Sequence, residues 1–233
     1  MNVYAIADPH LSRARPKPMD IFGGNWSGHP AAFFEGWRET VGPDDLVLVP
    51  GDISWAMRLE EARLDLEDIA ALPGIKVLSR GNHDYWWPSI SRLRAALPPG
   101  MHALQNDALR IGNVVVCGSR GWVCPGSEGF TDDDEKIYTR EVERLRLSLE
   151  AARTLAAPEQ LPVVVMLHYP PTNSAFEPSG FTALIERYLP SGVTYGHLHG
   201  VNPDRLLKHW CGIPLHFVAA DALRFRPKRI LGG

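Results

Sequence analysis

The chain has 233 residues, of which 45% are hydrophobic and 22% charged, a balance typical of globular proteins and unlike that of disordered chains. Its formal net charge of -3 and its lack of a long basic run make a nucleic-acid partner unlikely on composition. A small phosphorylated substrate is compatible with this charge, because bound metal ions would set the local potential. We expect a single domain over residues 1–233, since sheet-based folds of this size commonly form one core.

No apolar run approaches the roughly 18 residues of a transmembrane helix, so we expect no membrane partner. The N-terminus enters a strand-like run without the pattern of a secretory signal, which makes a cytoplasmic location the default expectation. The three cysteines, Cys117, Cys124 and Cys211, cannot all pair within one chain and form no CxxC motif. Neither a disulfide framework nor a zinc ribbon is expected.

Five apolar, β-branched runs have the composition of mostly buried strands. In chain order they are Val3–Ala7, Leu46–Val49, Ile75–Leu78, Val163–Leu167 and Val193–Tyr195. Segments with helical signals lie between them and alternate with the strands, which predicts an α/β protein. The predicted helices are Pro30–Val41, Leu59–Leu72, Pro88–Leu97 and a long helix that follows Thr131 and ends near Ala156.

The long helix begins with three consecutive acidic residues. Thr131 is a plausible N-cap, and the charges of Asp132, Asp133 and Asp134 suit the positive end of the helix dipole. We therefore assign these three aspartates no catalytic role. The loops 11–28 and 169–180 are long for plain connections, and we expect them to form walls of a cleft.

Polar side chains follow each of the five runs directly. We call these segments the five strand-end motifs: Asp8-Pro9-His10, Gly51-Asp52, Gly81-Asn82-His83-Asp84, His168 and Gly196-His197-Leu198-His199. Ligands of such sheets gather at the carboxyl ends of strands. Aspartate, asparagine and histidine together indicate an O/N-ligated divalent-metal centre assembled from five separate stretches of sequence.

Spacing within the motifs predicts which side chains act together. On an extended backbone, residues i and i+2 project to the same side, so Asp8 and His10 are expected to reach one ion, as are His197 and His199. A carboxylate has two oxygens and can bridge two cations, and Asp52 is the bridging candidate. A second metal could then be held by Asn82, His168 and one of the two late histidines.

Two neighbouring divalent cations can share a water, lower its pKa and stabilise both oxygens of an in-line displacement, which suits phosphoester hydrolysis. The leaving alkoxide needs a proton, and His83 is a reasonable acid because imidazole titrates near neutral pH. Asp84 either orients His83 or caps the following helix, and both alternatives are open at this point.

The ordered set DxH, GD, GNHD, H and GHxH, carried by the five strand-end motifs, resembles the calcineurin-like metallophosphoesterase superfamily. The resemblance spans residues 8–199. It implies a four-layer αββα sandwich of two mixed β-sheets flanked by helices, with two divalent metal ions, usually manganese, iron or zinc. By motif, it implies one metal held by Asp8, His10, Asp52 and His199. It implies a second metal held by Asp52, Asn82, His168 and His197, with His83 as acid or transition-state stabiliser.

The chain also departs from part of that superfamily. Its Ser/Thr protein phosphatases continue the second motif as GDxVDRG, whereas here Gly51-Asp52 is followed by Ile53-Ser54-Trp55-Ala56, without the arginine. The chain therefore looks more like small bacterial phosphohydrolases of unknown substrate. Arg120 could supply a phosphate clamp instead or be a plain core-edge arginine.

Aromatic residues near the motifs are candidates for a substrate wall. Trp86, between Tyr85 and Trp87, is one, although packing at a helix start is the favoured role for it. Trp26, Trp55 and Trp122 are further candidates. The remaining histidines outside the motifs, His29, His102, His209 and His216, are expected to be structural.

Hydrolysis of phosphomonoesters or phosphodiesters is the leading functional hypothesis. A scaffold or binding module that keeps the fold is the alternative from another class, and retention of His83 and every carboxylate ligand argues against it. A nuclease is a third alternative, disfavoured by the acidic balance. The substrate, the native metal and the oligomeric state do not follow from the sequence.

Overall fold

The computed structural model describes residues 1–232, and its eleven strands form two mixed sheets that stack face to face. The first sheet has the order β11-β1-β2-β3-β4, in which only β11 is antiparallel to its neighbour. Its strands are β1 (Val3–Ala5), β2 (Leu46–Pro50), β3 (Ile75–Ser79), β4 (Met101–Ala103) and β11 (Lys228–Leu231).

The second sheet has the order β5-β6-β7-β8-β10-β9, with antiparallel strands at its two edges and a parallel centre. Its strands are β5 (Ala108–Ile111), β6 (Val114–Gly118), β7 (Val163–Met166), β8 (Gly192–Tyr195), β9 (His209–Trp210) and β10 (Ile213–Phe217). Parallel strands need crossover connections, and helices supply most of them here. The α-helices are α1 (His29–Thr40), α2 (Leu59–Ala70), α3 (Ile90–Ala96), α4 (Asp132–Ala156) and α5 (Gly180–Tyr188).

Alternation along the strands builds three apolar layers. In β2, Leu46 and Leu48 pack between the two sheets, whereas Val47 and Val49 belong to the core under α1 and α2. The strand β6 alternates in the same way between the inter-sheet layer and the core under α4 and α5. Since successive side chains of a strand point to opposite faces, a run that is apolar throughout must be covered on both sides. The four-layer αββα arrangement follows, as the resemblance implied.

The predicted elements agree closely with the observed ones. The helix α4 begins where expected, and its N-cap Thr131 accepts a hydrogen bond from the Asp134 backbone while the Asp134 carboxylate accepts one from the Thr131 backbone. The third predicted helix begins later than expected, at Ile90. The helix α5 was not predicted. Within residues 1–232, no helix combines the length and the apolar character that a membrane crossing requires.

The two sheets meet beyond the ends of their strands, and this junction positions the site. Ala7, just past β1, forms a parallel bridge with Ala219, just past β10. The Ala7 N–H donates to Val218 at 2.8 Å, and the Ala220 N–H donates to Ala7 at 2.9 Å. Because all of these are carboxyl ends, the strand-end motifs of both sheets open onto one common rim.

Candidate metal centre

Two groups of candidate metal ligands, largely buried, lie side by side at this rim. The side-chain donor atoms of Asp8, His10 and His199 lie within 4.8 Å of one another. The donors of a second group, Asp52, His168 and His197, are equally close to one another. We refer to these groups as the first and second clusters. Six side chains from four of the five strand-end motifs are thus brought together.

The backbone at four of these six residues is left-handed rather than extended. Positive φ angles occur at Asp8 (58°), His10 (45°), Asp52 (52°) and His197 (70°). Such angles are uncommon outside glycine and concentrate at functional sites. The expectation that His197 and His199 share an ion through extended i, i+2 spacing is therefore wrong: His197 belongs to the second cluster and His199 to the first. Asp8 and His10 do share a cluster, but through a left-handed turn.

Two glycines of the motifs allow the close packing of these turns. A Cβ on Gly81 would collide with the carboxylate and the backbone nitrogen of Asp52. A Cβ on Gly196 would collide with the Asp8 carboxylate and the Ala7 side chain. Any side chain at either position would therefore displace an acidic ligand.

Asp52 faces both clusters. Its Oδ2 lies 3.7 Å from His10 Nε2 in the first cluster, and its Oδ1 lies 3.5 Å from His168 Nε2 in the second. The Oδ1 atom also accepts a hydrogen bond from the His83 backbone N–H at 2.8 Å. This is the geometry that a bridging carboxylate needs.

The contacts of His168 fit a cation. Its Nδ1 lies 3.0 Å from the carbonyl oxygen of Pro50, to which it donates as Nδ1–H, and burial lowers the pKa of His168 to about 3. A neutral ring with this tautomer has a lone pair on Nε2, which lies 2.7 Å from Oδ1 of Asn82. Two electron-pair donors at this separation repel each other unless a cation accepts both. Asn82 thus lies beside the second cluster, with its Oδ1 directed at His168.

The first cluster shows the same pattern. Nε2 of His10 and Nε2 of His199 lie 3.2 Å apart. His199 Nδ1 lies 3.2 Å from Oδ1 of Asp221, so the ring donates there and leaves its Nε2 as a lone pair. Burial lowers the pKa of His10 well below its ordinary value. Metal-ligating histidines characteristically donate their other ring N–H to a carboxylate or carbonyl in this way.

Asp221 is a functional residue that the sequence reasoning missed. Burial alone would raise its pKa, but its hydrogen bonds to His199 and to the Gly200 backbone lower the pKa below the ordinary value. It follows β10 after three intervening residues, so an aspartate at a sixth strand end was a usable signal. No neighbouring histidine or glycine forms a motif around it, and this is why it was missed.

The two acidic ligands repel each other where they are. Burial, together with the charge of Asp52, raises the pKa of Asp8 well above its ordinary value, and burial raises the pKa of Asp52. Oδ1 of Asp8 is buried without a hydrogen-bond partner among residues 1–232. Two buried carboxylates with an orphaned oxygen, among neutral imidazoles, fit divalent cations.

Comparison with known proteins agrees with this chemistry. The family model described as calcineurin-like phosphoesterase matches residues 1–201. The chain belongs to the calcineurin-like phosphoesterase family. This family match includes all five strand-end motifs, whereas Asp221 lies beyond it. The curated proteins contain no match to the chain.

Two solved structures of similar fold extend the comparison. Phosphopantetheinyl hydrolase (PptH) from Mycobacterium tuberculosis has 16% identity and a TM-score of 0.56, with 100% of this chain and 96% of that one covered. The protein TT1561 from Thermus thermophilus has 11% identity and a TM-score of 0.56, with 98% and 97% covered. At these identities the likeness shows the fold alone, which is that of the phosphoesterase family.

His83 lies beside both clusters of this phosphoesterase. Its ring is 4.5 Å from the Trp55 ring and 5.8 Å from the His10 ring, measured between centroids. Its Nδ1 is buried without a partner among residues 1–232. The side chain is therefore packed from one side and held near the ligands, without being a member of either cluster.

Asp84 makes neither of the two contacts expected of it. Its Oδ2 accepts from the backbone N–H groups of Gly81 and Asp52, and its Oδ1 accepts from Ile53, Ser54 and the Trp86 indole, all at 2.8 to 3.2 Å. Burial and the Asp52 charge raise the pKa of Asp84 to about 7. The carboxylate ties the second motif to the third, which makes Asp84 a positioning residue.

The two residues predicted as substrate contacts, Trp86 and Arg120, lie outside both clusters. Trp86 is 2% exposed and donates to Asp84, so it packs in the core and the substrate-wall prediction for it is wrong. Arg120 is half-buried, lies 3.6 Å from Glu141 and stacks on Trp122 at 4.4 Å. Its guanidinium lines a cavity next to the metal centre rather than either cluster.

A large cavity opens beside His197. It has a volume of about 600 Å³ and is lined mainly by apolar and aromatic side chains. The segment from Tyr169 to Ser174, with Phe176, forms one wall, which agrees with the cleft predicted for loop 169–180. Loop 11–28, the other predicted cleft wall, lines no part of this cavity; its buried Trp26 packs against the metal centre instead, with its ring 5.9 Å from that of His10 and 5.3 Å from that of His199. We call the space beside His197 the apolar cavity.

Proposed function

We propose that the protein is a phosphohydrolase that uses two divalent metal ions to cleave phosphomonoesters or phosphodiesters. The observation that carries this proposal is the position of Asp52, whose two carboxylate oxygens face the two clusters separately. When bound, such a pair of cations activates water and stabilises the attacking and leaving oxygens of an in-line displacement. Manganese, iron and zinc all suit these oxygen and nitrogen donors.

The residues of the chain have separate tasks in this proposal. Asp8, His10 and His199 would hold one ion, and Asn82, His168 and His197 the other, with Asp52 shared. The neutral state of the buried imidazoles is the one that ligation requires, and burial supplies it without any further group.

His83 would protonate the leaving oxygen. It is the one motif histidine outside both clusters, so its ring nitrogens are free of ligation. Two contacts fix the position of His83 relative to the bridging carboxylate. One is with the Trp55 ring, and the other is the hydrogen bond that the His83 backbone N–H donates to Asp52. Asp84 acts indirectly, since it holds the backbone on which both Asp52 and His83 lie.

The apolar cavity would take the organic part of the substrate. It begins at His197 and is lined by Trp122, Tyr169 and Phe176, so it favours esters whose alcohol is apolar or aromatic. Changing Phe176 to Ala should raise KM for an aryl phosphate several-fold and leave KM for a small polar phosphate ester unchanged. Phe22, which is exposed and lies outside the cavity, provides the control Phe22→Ala.

The experiment for the proposed reaction is hydrolysis of aryl phosphate and bis-aryl phosphate esters by the manganese-loaded protein. We expect turnover in the wild type, none above background in Asp52→Asn, and wild-type turnover in Asp133→Asn, whose carboxylate is exposed on α4. Equal rates in wild type and Asp52→Asn would contradict the proposal.

A further inference from the structure

A second cavity, which is polar, adjoins the metal centre. It has a volume of about 280 Å³ and opens between the carboxyl ends of β3 and β6 and the side of α4. Four arginines line it, against one carboxylate, that of Glu141. The four are Arg80, Arg120, Arg140 and Arg144, and we call the space the arginine cavity.

The single carboxylate is already engaged. Glu141 is 1% exposed, and its Oε1 lies 2.7 Å from Nη1 of Arg144 and 3.6 Å from Nη2 of Arg120. Among residues 1–232, Arg80 and Arg140 form no ion pair with a carboxylate. The ends of β3 and β6 and the side of α4 therefore place more positive than negative charge around this cavity.

Several buried donors at this cavity have no acceptor. The Nε atoms of Arg80 and Arg120 and the Oγ of Ser79, which is 3% exposed, are buried without a hydrogen-bond partner among residues 1–232. Buried polar atoms of folded proteins almost always have a partner. All three residues line the same cavity, which is where an acceptor for these atoms would enter.

The guanidinium groups also repel one another. Burial lowers the pKa of Arg120, and the charges of Arg80 and Arg144 lower it further, while Glu141 opposes the shift. An anion in the cavity would remove this repulsion. Guanidinium groups bind tetrahedral oxyanions through paired, charge-assisted N–H donors, for which arginine is better suited than lysine.

We propose that the arginine cavity binds a phosphoryl oxyanion. The cavity adjoins the metal centre through the backbone, because the carbonyl oxygen of Arg120 accepts the N–H of His168 at 3.0 Å and Arg80 directly precedes Gly81-Asn82. The anion is either a second phosphoryl group of the substrate or free phosphate. The assignment of the anion to the substrate rests on the proposed function. The binding of an oxyanion in the arginine cavity does not.

Inorganic phosphate is the probe, titrated by calorimetry into the full-length, manganese-loaded protein. Arg144→Gln and Arg140→Gln should each weaken phosphate binding about tenfold, since each removes a charged donor. Arg140 is exposed and outside the Glu141 ion pairs, so its variant tests the cavity without leaving Glu141 uncompensated. The matched control is Arg146→Gln: Arg146 lies on the same helix and pairs with Glu143 as Arg144 pairs with Glu141, but it lines no part of the cavity.

The variant Asp52→Asn separates phosphate binding at the metal centre from phosphate binding in the arginine cavity. The proposal predicts a phosphate site that survives Asp52→Asn and is weakened by Arg140→Gln and Arg144→Gln but not by Arg146→Gln. It is overturned if all phosphate binding disappears in Asp52→Asn, or if the cavity variants bind like the control. Absence of ester hydrolysis with cavity binding intact would overturn the proposed function alone.

Kinetics then distinguish the two sources. If the anion is part of the substrate, Arg140→Gln should raise KM for an ester carrying two phosphoryl groups and not for one carrying a single group. If it is free phosphate, the two KM values should respond alike. Both results require the cavity-dependent binding described above.

Discussion

The metal centre and the arginine cavity adjoin each other and differ in every respect that matters for recognition. The metal centre consists of short side chains on left-handed turns, with buried carboxylates and neutral imidazoles. The arginine cavity consists of long side chains from two strand ends and one helix, with excess positive charge. Rigid backbone turns hold metal ligands at closely defined positions. Long side chains instead determine only the charge of the group that a cavity accepts and the volume available to it.

Outside the two clusters, the largest expected effect of a single change lies at His83. Removing its ring in His83→Ala should lower kcat by roughly 10²- to 10⁴-fold, the usual contribution of a general acid. Because His83 lies outside both clusters, its variant should still bind the same amount of manganese per chain. A fall in bound metal would instead make His83 a part of the ligand set.

The next effect concerns stability. In Asp84→Asn, an amide replaces the oxygen that accepts from Gly81 and Asp52, and two buried N–H groups lose their acceptor. We expect the free energy of unfolding to fall by about 3 kcal/mol, measured by denaturant titration. The control is Asp45→Asn, whose carboxylate also accepts backbone N–H groups but at the opposite end of β2. Asp45→Asn should lower the free energy of unfolding by less than Asp84→Asn and leave the metal content unchanged.

A smaller effect is expected at Asp221. Asp221→Asn keeps a carbonyl that accepts from His199 but removes the charge behind it. Loss of such an outer partner typically lowers metal affinity about 10- to 100-fold. Competition with a chelator should show the loss at one of the two ions, since Asp221 contacts only the first cluster. Equal weakening of both ions would contradict the separate clusters.

The smallest effect is expected at Arg146, which lies on α4 outside both regions. Arg146→Gln should leave kcat, metal content and the midpoint of thermal unfolding at wild-type values, because exposed ion pairs contribute little. A loss of phosphate binding in this variant would mean that long-range charge, rather than the arginine cavity, attracts the anion.

Much of the fold and of the metal centre was predictable from the sequence. The strands behind the five strand-end motifs have continuous apolar runs, and the start of α4 has its own capping residues. The division of ligands between the ions was not predictable from spacing, because left-handed turns at Asp8 and His197 break the extended geometry that the rule assumes. The family resemblance assigned His197 and His199 to different ions.

Other features had no motif around them. Asp221 is a lone aspartate, and its role depends on the bridge between Ala7 and Ala219 that joins the two sheets. The arginines of the cavity come from three separate segments of the chain and gather only when β3, β6 and α4 come together. Trp86 shows the reverse error, since a tryptophan close to His83 in sequence lies in the core.

The central claim is that Asp52 bridges two metal ions, and the metal content of purified protein tests it most directly. Elemental analysis after manganese loading and desalting should give two ions per chain in the wild type and in Asp133→Asn, and fewer than two in Asp52→Asn. Retention of two ions by Asp52→Asn, or a single ion in the wild type, would contradict the claim.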